Sequence, residues 1–136
     1  MNTQQKGQLA VLKVKLAALQ KGYVVSEPTT DVRYDLVVDD LEKLQRVQVK
    51  YADGRSSHAV GCSVVSLRRW NGNKHQNIRT YLKSEIDAIA VYLPKIDRIC
   101  WIPSEKFHGK ANLYIRIDKP KNGQTQNLLM AEDYFW

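Results

Sequence analysis

An Asp, a Gln and a Lys in the first half of the chain have the types and the spacing for metal-assisted chemistry on a phosphate. Asp35 lies in one segment of alternating apolar and polar residues, and Gln48 and Lys50 lie in the next. If these segments pair as neighbouring strands, the three side chains share a face, with cross-strand Cβ atoms about 4.5–5.5 Å apart. The cluster therefore predicts a site for one hydrated divalent ion and one reacting phosphate.

The segments that must position this cluster have the pattern of a β-hairpin. Residues 33–39 and 47–51 alternate between apolar and polar side chains, and the turn-prone pair Asp39-Asp40 stands where the first segment ends. Folding the chain between positions 41 and 42 sets Asp35 opposite Gln48. An ordinary solvated sheet face would carry the same residue types, so the pattern alone leaves that alternative open.

A helix over residues 3–21 is predicted to precede the hairpin, with Gly22 as its left-handed cap. Its apolar residues recur at helical spacing: Leu9, Leu12, Leu16 and Leu19. Gln8 shares a face with Leu12 and Leu16, and this face is predicted to be buried. A polar residue there is a candidate site residue, and a solvated Gln in a frayed first turn is the alternative.

Together these elements resemble the core of the PD-(D/E)XK nucleases, in which a helix with a polar residue near its start precedes a strand with Asp and a strand with (Asp/Glu/Gln)-x-Lys. Gln8, Asp35, Gln48 and Lys50 occupy the four positions, although Tyr34 stands where the family name has Pro. The likeness is greatest to homing endonucleases encoded within cyanobacterial group I introns, and archaeal Holliday-junction resolvases share the core. It implies an α/β fold with a central mixed β-sheet flanked by helices, in one domain over residues 1–136.

The resemblance also implies hydrolysis of DNA phosphodiester bonds with Mg²⁺ or Mn²⁺ as cofactor. Asp35, the Gln48 amide oxygen and the Val49 backbone carbonyl would hold the ion, which keeps several waters. Lys50 would orient the attacking water, lower its pKa or stabilise the charge on the phosphate.

Two of these four positions are neutral where relatives often have carboxylates, which leaves Asp35 as the anionic ligand. The chain is then either a natural variant with weak metal affinity or a form that binds DNA without cutting because Gln8 replaces Glu. We expect Gln8→Glu to raise Mg²⁺-dependent cleavage.

Residues 54–84, called here the basic segment, contain no Asp or Glu, within a chain of net charge +7. Its basic, amide, hydroxyl and aromatic side chains can bind phosphates and base edges. The candidate DNA-binding residues are Arg55, Ser56, Ser57, His58, Arg68, Arg69, Trp70, Asn71, Lys74, His75, Gln76, Arg79 and Lys83. Binding should weaken steeply with salt. A solvated basic face is one alternative, and an anionic membrane is another that the lack of a basic amphipathic helix disfavours.

Length and composition favour one cytoplasmic domain. The 136 residues are 43% hydrophobic, enough for one core. The N-terminus lacks a signal pattern, and no apolar run approaches the roughly 20 residues that span a bilayer, so no membrane association is expected. Cys62 and Cys100 lack zinc or redox spacing and are expected to be free, buried thiols.

The rest of the chain contains further predicted elements. Strands are expected at residues 62–70, 99–103 and 112–117, a buried strand or short helix at 86–93, and a loop at 105–110. The terminal aromatics 134–136 are expected to form a clasp or a subunit contact.

The predicted function is a site-specific endonuclease of the intron-homing type that acts on double-stranded DNA. One such site cuts one strand, so a double-strand break requires a homo-oligomer, either a dimer or a tetramer. A Holliday-junction resolvase would need the same site but recognise branched shape, and a non-catalytic DNA-binding protein on a nuclease scaffold would account for both glutamines. These interpretations stay open at the level of the sequence.

Overall fold

The computed structural model describes residues 1–53, 61–68, 80–82, 84–118 and 128–136. The elements in chain order are α1 (Thr3–Gln20), β1 (Val24–Ser26), β2 (Leu36–Asp39), β3 (Leu44–Tyr51), β4 (Cys62–Ser66), β5 (Ala88–Leu93), β6 (Arg98–Pro103), α2 (Ser104–Phe107), β7 (Asn112–Arg116), β8 (Leu129–Met130) and a 3₁₀ helix (Ala131–Tyr134). One sheet has the order β1-β2-β3-β5-β6 and the other β4-β7-β8. In the first sheet β3 and β5 are parallel and the other pairs antiparallel, which confirms the predicted α/β fold with a central mixed sheet.

Helix α1 begins at the predicted residue and ends at Gln20, one residue before the predicted end. The Asn2 side chain accepts the Gln5 N–H at 2.9 Å while the Gln5 side chain accepts the Asn2 N–H, a capping box that satisfies two donors of the first turn. At the other end Gly22 has φ +79°, a left-handed conformation that glycine adopts without strain.

The buried face of α1 differs from the predicted one. Ala10, Val14 and Ala18 are fully buried against the sheet, because these small residues let the helix backbone approach the strands closely. The larger Leu12 and Leu16 are 59% and 52% exposed, and Leu19 is 65% exposed. The predicted leucine stripe is therefore wrong, and burial is no longer an argument for a site role of Gln8.

The β2–β3 hairpin is present, with Leu36 paired to Val47 and Asp39 to Leu44. Acidic side chains build its turn, since the Asp39 carboxylate accepts the Leu41 N–H and the Asp40 carboxylate accepts two further backbone donors. These bonds hold Leu41 at φ +73°. The hairpin fixes which residues of β3 face each side of the sheet.

Two cores lie on opposite sides of the five-stranded sheet. Val47 and Val49 of β3 pack on the α1 side, whereas the other core joins β5, β6, α2 and the second sheet. All six residues of β5 are buried, which settles residues 86–93 as containing a buried strand rather than a helix. The predicted loop over 105–110 instead begins within the short helix α2.

The C-terminal aromatics pack within the chain. The Trp136 ring lies 4.6 Å from the Trp101 ring and 6.3 Å from the Tyr23 ring, between centroids, and the Trp136 N–H donates to the Ile99 carbonyl at 3.0 Å. Cys62 and Cys100 are buried and free, as predicted. Among the described residues no helix has the length and apolar character of a membrane span.

Candidate active site

Asp35 stands where β2 begins, and β3 holds its backbone. Leu36 is the register partner of Val47, and the Asp35 N–H also donates to the Val47 carbonyl, at 2.9 Å. The Val47 carbonyl therefore holds the Asp35 backbone against β3, although β2 itself begins one residue later. The Asp35 carboxylate accepts the Val49 N–H at 2.8 Å. The observed pairs Leu36–Val47 and Val37–Arg46 are those of a hairpin folded between positions 41 and 42, which confirms the predicted register. Asp35 precedes the first of these pairs, and its bonds go to Val47 and Val49, the residues on either side of Gln48.

Asp35, Gln48 and Lys50 line one groove of about 350 Å³. Gln48 and Lys50 alternate with the buried Val47 and Val49, so both project from the face of β3 opposite α1. The other described lining residues are Val32, Arg33, Arg68 and Tyr81. The structure thus brings a carboxylate, an amide and an ammonium to a common space.

Burial raises the pKa of the Asp35 carboxyl, and the Val49 hydrogen bond and the Lys50 charge oppose that rise without cancelling it. The ionised carboxylate is therefore incompletely compensated by the protein. An added positive charge in the groove, above all a divalent ion, would favour ionisation.

Two cations of the groove share one aromatic ring. The Lys50 Nζ lies 5.6 Å from the centroid of the Tyr81 ring, and the Arg33 guanidinium carbon lies 4.2 Å from it. Tyr81 is only 5% exposed, so the ring is a fixed platform. It restrains Lys50 beside Asp35 through a cation–π contact.

A second groove meets the first at Lys50. Besides Lys50 it is lined by Thr3, Lys6 and Gly7 of α1 and by Val49, Tyr51 and Asp53. Gln8 follows Gly7 directly but is exposed and lines neither groove. A Cβ built on Gly7 would meet no atom within 4 Å, so the start of α1 leaves open space beside the strand end that carries Lys50.

The donor set around Asp35 fits a hard divalent ion. The Val49 carbonyl points to the same side as its N–H, toward Asp35, and lies beyond the last β2–β3 register pair, Leu36 with Val47. Carboxylate, amide and carbonyl oxygens are the ligands that Mg²⁺ accepts alongside water. Among the described residues no three His, Cys, Asp or Glu side chains cluster, so a metal here would rely on Asp35 and neutral oxygens.

Of the candidate DNA-binding residues, Arg68 is exposed and lines the groove with Asp35. The others lie outside the described residues: Arg55, Ser56, Ser57, His58, Arg69, Trp70, Asn71, Lys74, His75, Gln76, Arg79 and Lys83. Arg68 follows strand β4, which ends at Ser66 rather than at position 70 as predicted.

Sequence reasoning did not single out Arg33 and Tyr81 as site residues. Arg33 precedes Asp35 by two positions in the alternating segment, a spacing that could have placed it on the same face. Tyr81 carried no such signal, because an aromatic residue in a polar stretch is equally typical of a core anchor. Both come to the site through tertiary packing.

Comparisons with known proteins agree with the fold. The model of the PD-(D/E)XK endonuclease family matches residues 1–136. No curated protein sequence matches the chain significantly. Among solved structures, the bacterial homing endonuclease I-Ssp6803I superposes with a TM-score of 0.79 and 25% sequence identity, over 99% of this chain and 89% of that one.

Proposed function

The chain belongs to the PD-(D/E)XK endonuclease family, and from this premise we propose that it is a site-specific endonuclease of the homing type, acting on double-stranded DNA in the cytoplasm. The observation that carries the proposal is the convergence of Asp35, Gln48 and Lys50 on one groove that Arg68 borders. The likeness to a bacterial homing endonuclease supports it.

We assign the binding of the cofactor, Mg²⁺ or Mn²⁺, to the Asp35 carboxylate, the Gln48 amide oxygen and the Val49 carbonyl. A divalent ion bound there supplies Lewis acidity and neutralises charge on the phosphate. Asp35 must be ionised to hold it, and the Val49 N–H bond fixes the orientation of the carboxylate. Gln48 adds an oxygen without adding charge.

Lys50 acts from the same groove as Asp35. Its three N–H donors can orient the attacking water and hold a non-bridging phosphate oxygen, and the Tyr81 ring restricts the positions they take. The lysine charge also stabilises the negative charge that develops on the oxygens of the pentacoordinate phosphorus. The water oxygen bonds to phosphorus while the opposite P–O bond breaks. The proton of the water passes to solvent and the leaving oxygen takes up a proton, so the products are a phosphate monoester end and a hydroxyl end.

Gln8 is proposed as the helix residue of the site in a neutral form. Its exposed side chain is free to adopt other rotamers next to the open space at Gly7. Loss of a carboxylate at this position would weaken metal binding. By the same reasoning, the protein is either a catalytically weakened enzyme or a non-catalytic DNA-binding protein. Asp35 is the one carboxylate among the described residues that line the groove, which favours the second of these as the alternative function.

The basic segment is proposed as the DNA-binding surface. Arg68 lines the same groove as Asp35, which supports a binding surface adjacent to the cleavage site. Each phosphate that a Lys or Arg neutralises should steepen the salt dependence of affinity by about 0.9 in the log–log slope.

A homo-oligomer is proposed because one groove cuts one strand. Leu12, Leu16 and Leu19 lie on one face of α1 and stay exposed. This apolar stripe could be buried between subunits.

Incubation with supercoiled plasmid and with four-way-junction DNA, in Mg²⁺ or Mn²⁺, tests the function. Linear plasmid with defined ends supports a homing-type endonuclease. Cleavage of the junction alone would point to a resolvase. Binding without cleavage in either metal, also after Gln8→Glu, would point to the non-catalytic alternative. A Lys50→Ala variant is the matched control, since it retains the fold of β3 and removes the ammonium.

A further inference from the structure

Arg33 is a buried cation, and two of its donors lack a partner in the part of the chain that the structure describes. Its side chain is only 12% exposed, and its Nη1 lies 3.3 Å from the Glu85 Oε2. Its Nε and Nη2 are buried and make no hydrogen bond among the described residues. These two atoms form one edge of the guanidinium, the edge that binds two oxygens side by side.

Structure alone does not explain this arrangement. Buried donors without a partner are unfavourable, and a charged one more so. An apolar side chain of similar length would pack on the Tyr81 ring without leaving donors unpaired. Among the described residues, Glu85 contacts one nitrogen of the guanidinium, Nη1. The other two nitrogens could therefore bind an anion.

The position of Arg33 identifies that anion. Arg33 lines the same groove as Asp35 and Lys50, and it shares the Tyr81 ring with Lys50 at 4.2 and 5.6 Å. We propose that Arg33 binds the scissile phosphate through its Nε–H and Nη2–H edge, next to Lys50. The proposal rests on the proposed endonuclease function and adds a second cation to its site.

In the absence of DNA, the ion pair with Glu85 would hold the Arg33 side chain in place. The Arg33–Glu85 distance of 3.3 Å exceeds the roughly 2.7–2.9 Å of a strong charge-assisted bond. Glu85 is itself anchored by the Leu82 N–H at 3.1 Å, so it can stay in place while the guanidinium turns toward the groove. A phosphate would give Arg33 two oxygen acceptors and a full negative charge, whereas Glu85 gives it one long contact.

The test compares Arg33→Lys with Glu85→Gln in two assays. One is DNA affinity in Ca²⁺, and the other is single-turnover cleavage in Mg²⁺ or Mn²⁺. Arg33→Lys retains the charge and removes the bidentate edge, so we expect affinity to fall about three- to tenfold and the cleavage rate by more than tenfold. Glu85→Gln keeps an oxygen for the Leu82 N–H and releases Arg33, so we expect affinity equal to or above that of the wild type.

Two outcomes would overturn the proposal: wild-type affinity and cleavage in Arg33→Lys, or an equal loss of both in Glu85→Gln, which would mean that the ion pair itself matters. If the wild type does not cleave in either metal, the endonuclease function fails while the affinity assay still decides whether Arg33 binds phosphate. Stability gives an independent reading. The double variant Arg33→Met/Glu85→Gln should unfold at an unchanged or higher temperature yet lose affinity, and a lower temperature would make Arg33 a structural residue.

Discussion

Asp35→Asn is expected to abolish metal binding and cleavage at the groove without lowering the stability of the fold. Asn retains an oxygen that can accept the Val49 N–H, which now lies 2.8 Å from the carboxylate. It also removes the charge that burial disfavours. The free energy of unfolding at neutral pH should stay unchanged or rise, although the metal loses its anionic ligand.

Asp35→Ala is the matched comparison. Ala leaves the Val49 N–H without its acceptor, and an unpaired buried donor costs about 1–3 kcal/mol. In a domain of this size each kcal/mol lowers the melting temperature by about 3–5 °C. Ala should therefore destabilise the protein where Asn does not.

The pH dependence follows from the same carboxyl. Because burial raises the folded-state pKa of Asp35 above 3.8, the protonated group contributes stability below the unfolded-state pKa. That contribution is lost as the pH rises through the folded-state pKa. Asn cannot ionise, so any advantage of Asp35→Asn over the wild type should be absent in strong acid and fully developed at neutral pH.

Thermal unfolding with and without Mg²⁺ measures both effects. At ten times its Kd a bound ion stabilises the wild type by RT ln 11, about 1.4 kcal/mol, and Asp35→Asn should show no such rise. Cleavage should fall more than 100-fold in the variant. A melting temperature as low as that of Asp35→Ala, or a retained Mg²⁺-dependent rise, would refute the reasoning.

Four further predictions concern other parts of the chain. Gln8→Glu should raise Mg²⁺-dependent cleavage about tenfold. If Gly7→Glu raises the cleavage rate and Gln8→Glu does not, residue 7 rather than residue 8 is the helix residue of the site. Arg68→Ala should reduce the log–log salt slope of DNA binding by about 1 in anisotropy titrations, whereas an unchanged slope would place Arg68 away from phosphate. Leu16→Glu should reduce the oligomer mass in sedimentation without lowering the melting temperature, because Leu16 is 52% exposed; an unchanged mass would exclude the α1 stripe as the contact. Burial raises the pKa of the Cys100 thiol to about 12, so thiol reagents at neutral pH should label it only after unfolding, and rapid labelling of the native protein would contradict its burial.

The hairpin could be predicted because its signals are local. Alternation fixed the faces of both strands, and the acidic turn residues Asp39 and Asp40 do cap the turn. The bond from the Asp35 N–H to the Val47 carbonyl could not be predicted, because no residue type indicates it. It adds a backbone partner to Asp35, which still lines the groove.

The helix shows where periodicity misleads. The leucines of α1 recur at helical spacing, yet the face that packs on the sheet is that of Ala10, Val14 and Ala18. Two faces of one helix were apolar, and only the tertiary contact distance decides between them: small residues permit closer packing. The exposed apolar face of Leu12, Leu16 and Leu19 can then pack against another protein surface.

Arg33 and Tyr81 illustrate the part of a site that a single sequence hides. Their roles depend on a ring shared by two cations and on buried donors that have no hydrogen-bond partner among the described residues. Neither property is visible before the chain folds, because burial and pairing arise between segments that lie far apart in the sequence.

The most direct test of the central claim is the location of a bound ion. Crystals grown with Mn²⁺ should show an anomalous-scattering peak about 2.1–2.2 Å from the Asp35 carboxylate, the Gln48 amide oxygen and the Val49 carbonyl, with the Lys50 ammonium beside it. A fully occupied Mn²⁺ elsewhere, with no peak between Asp35 and Gln48, would contradict the account.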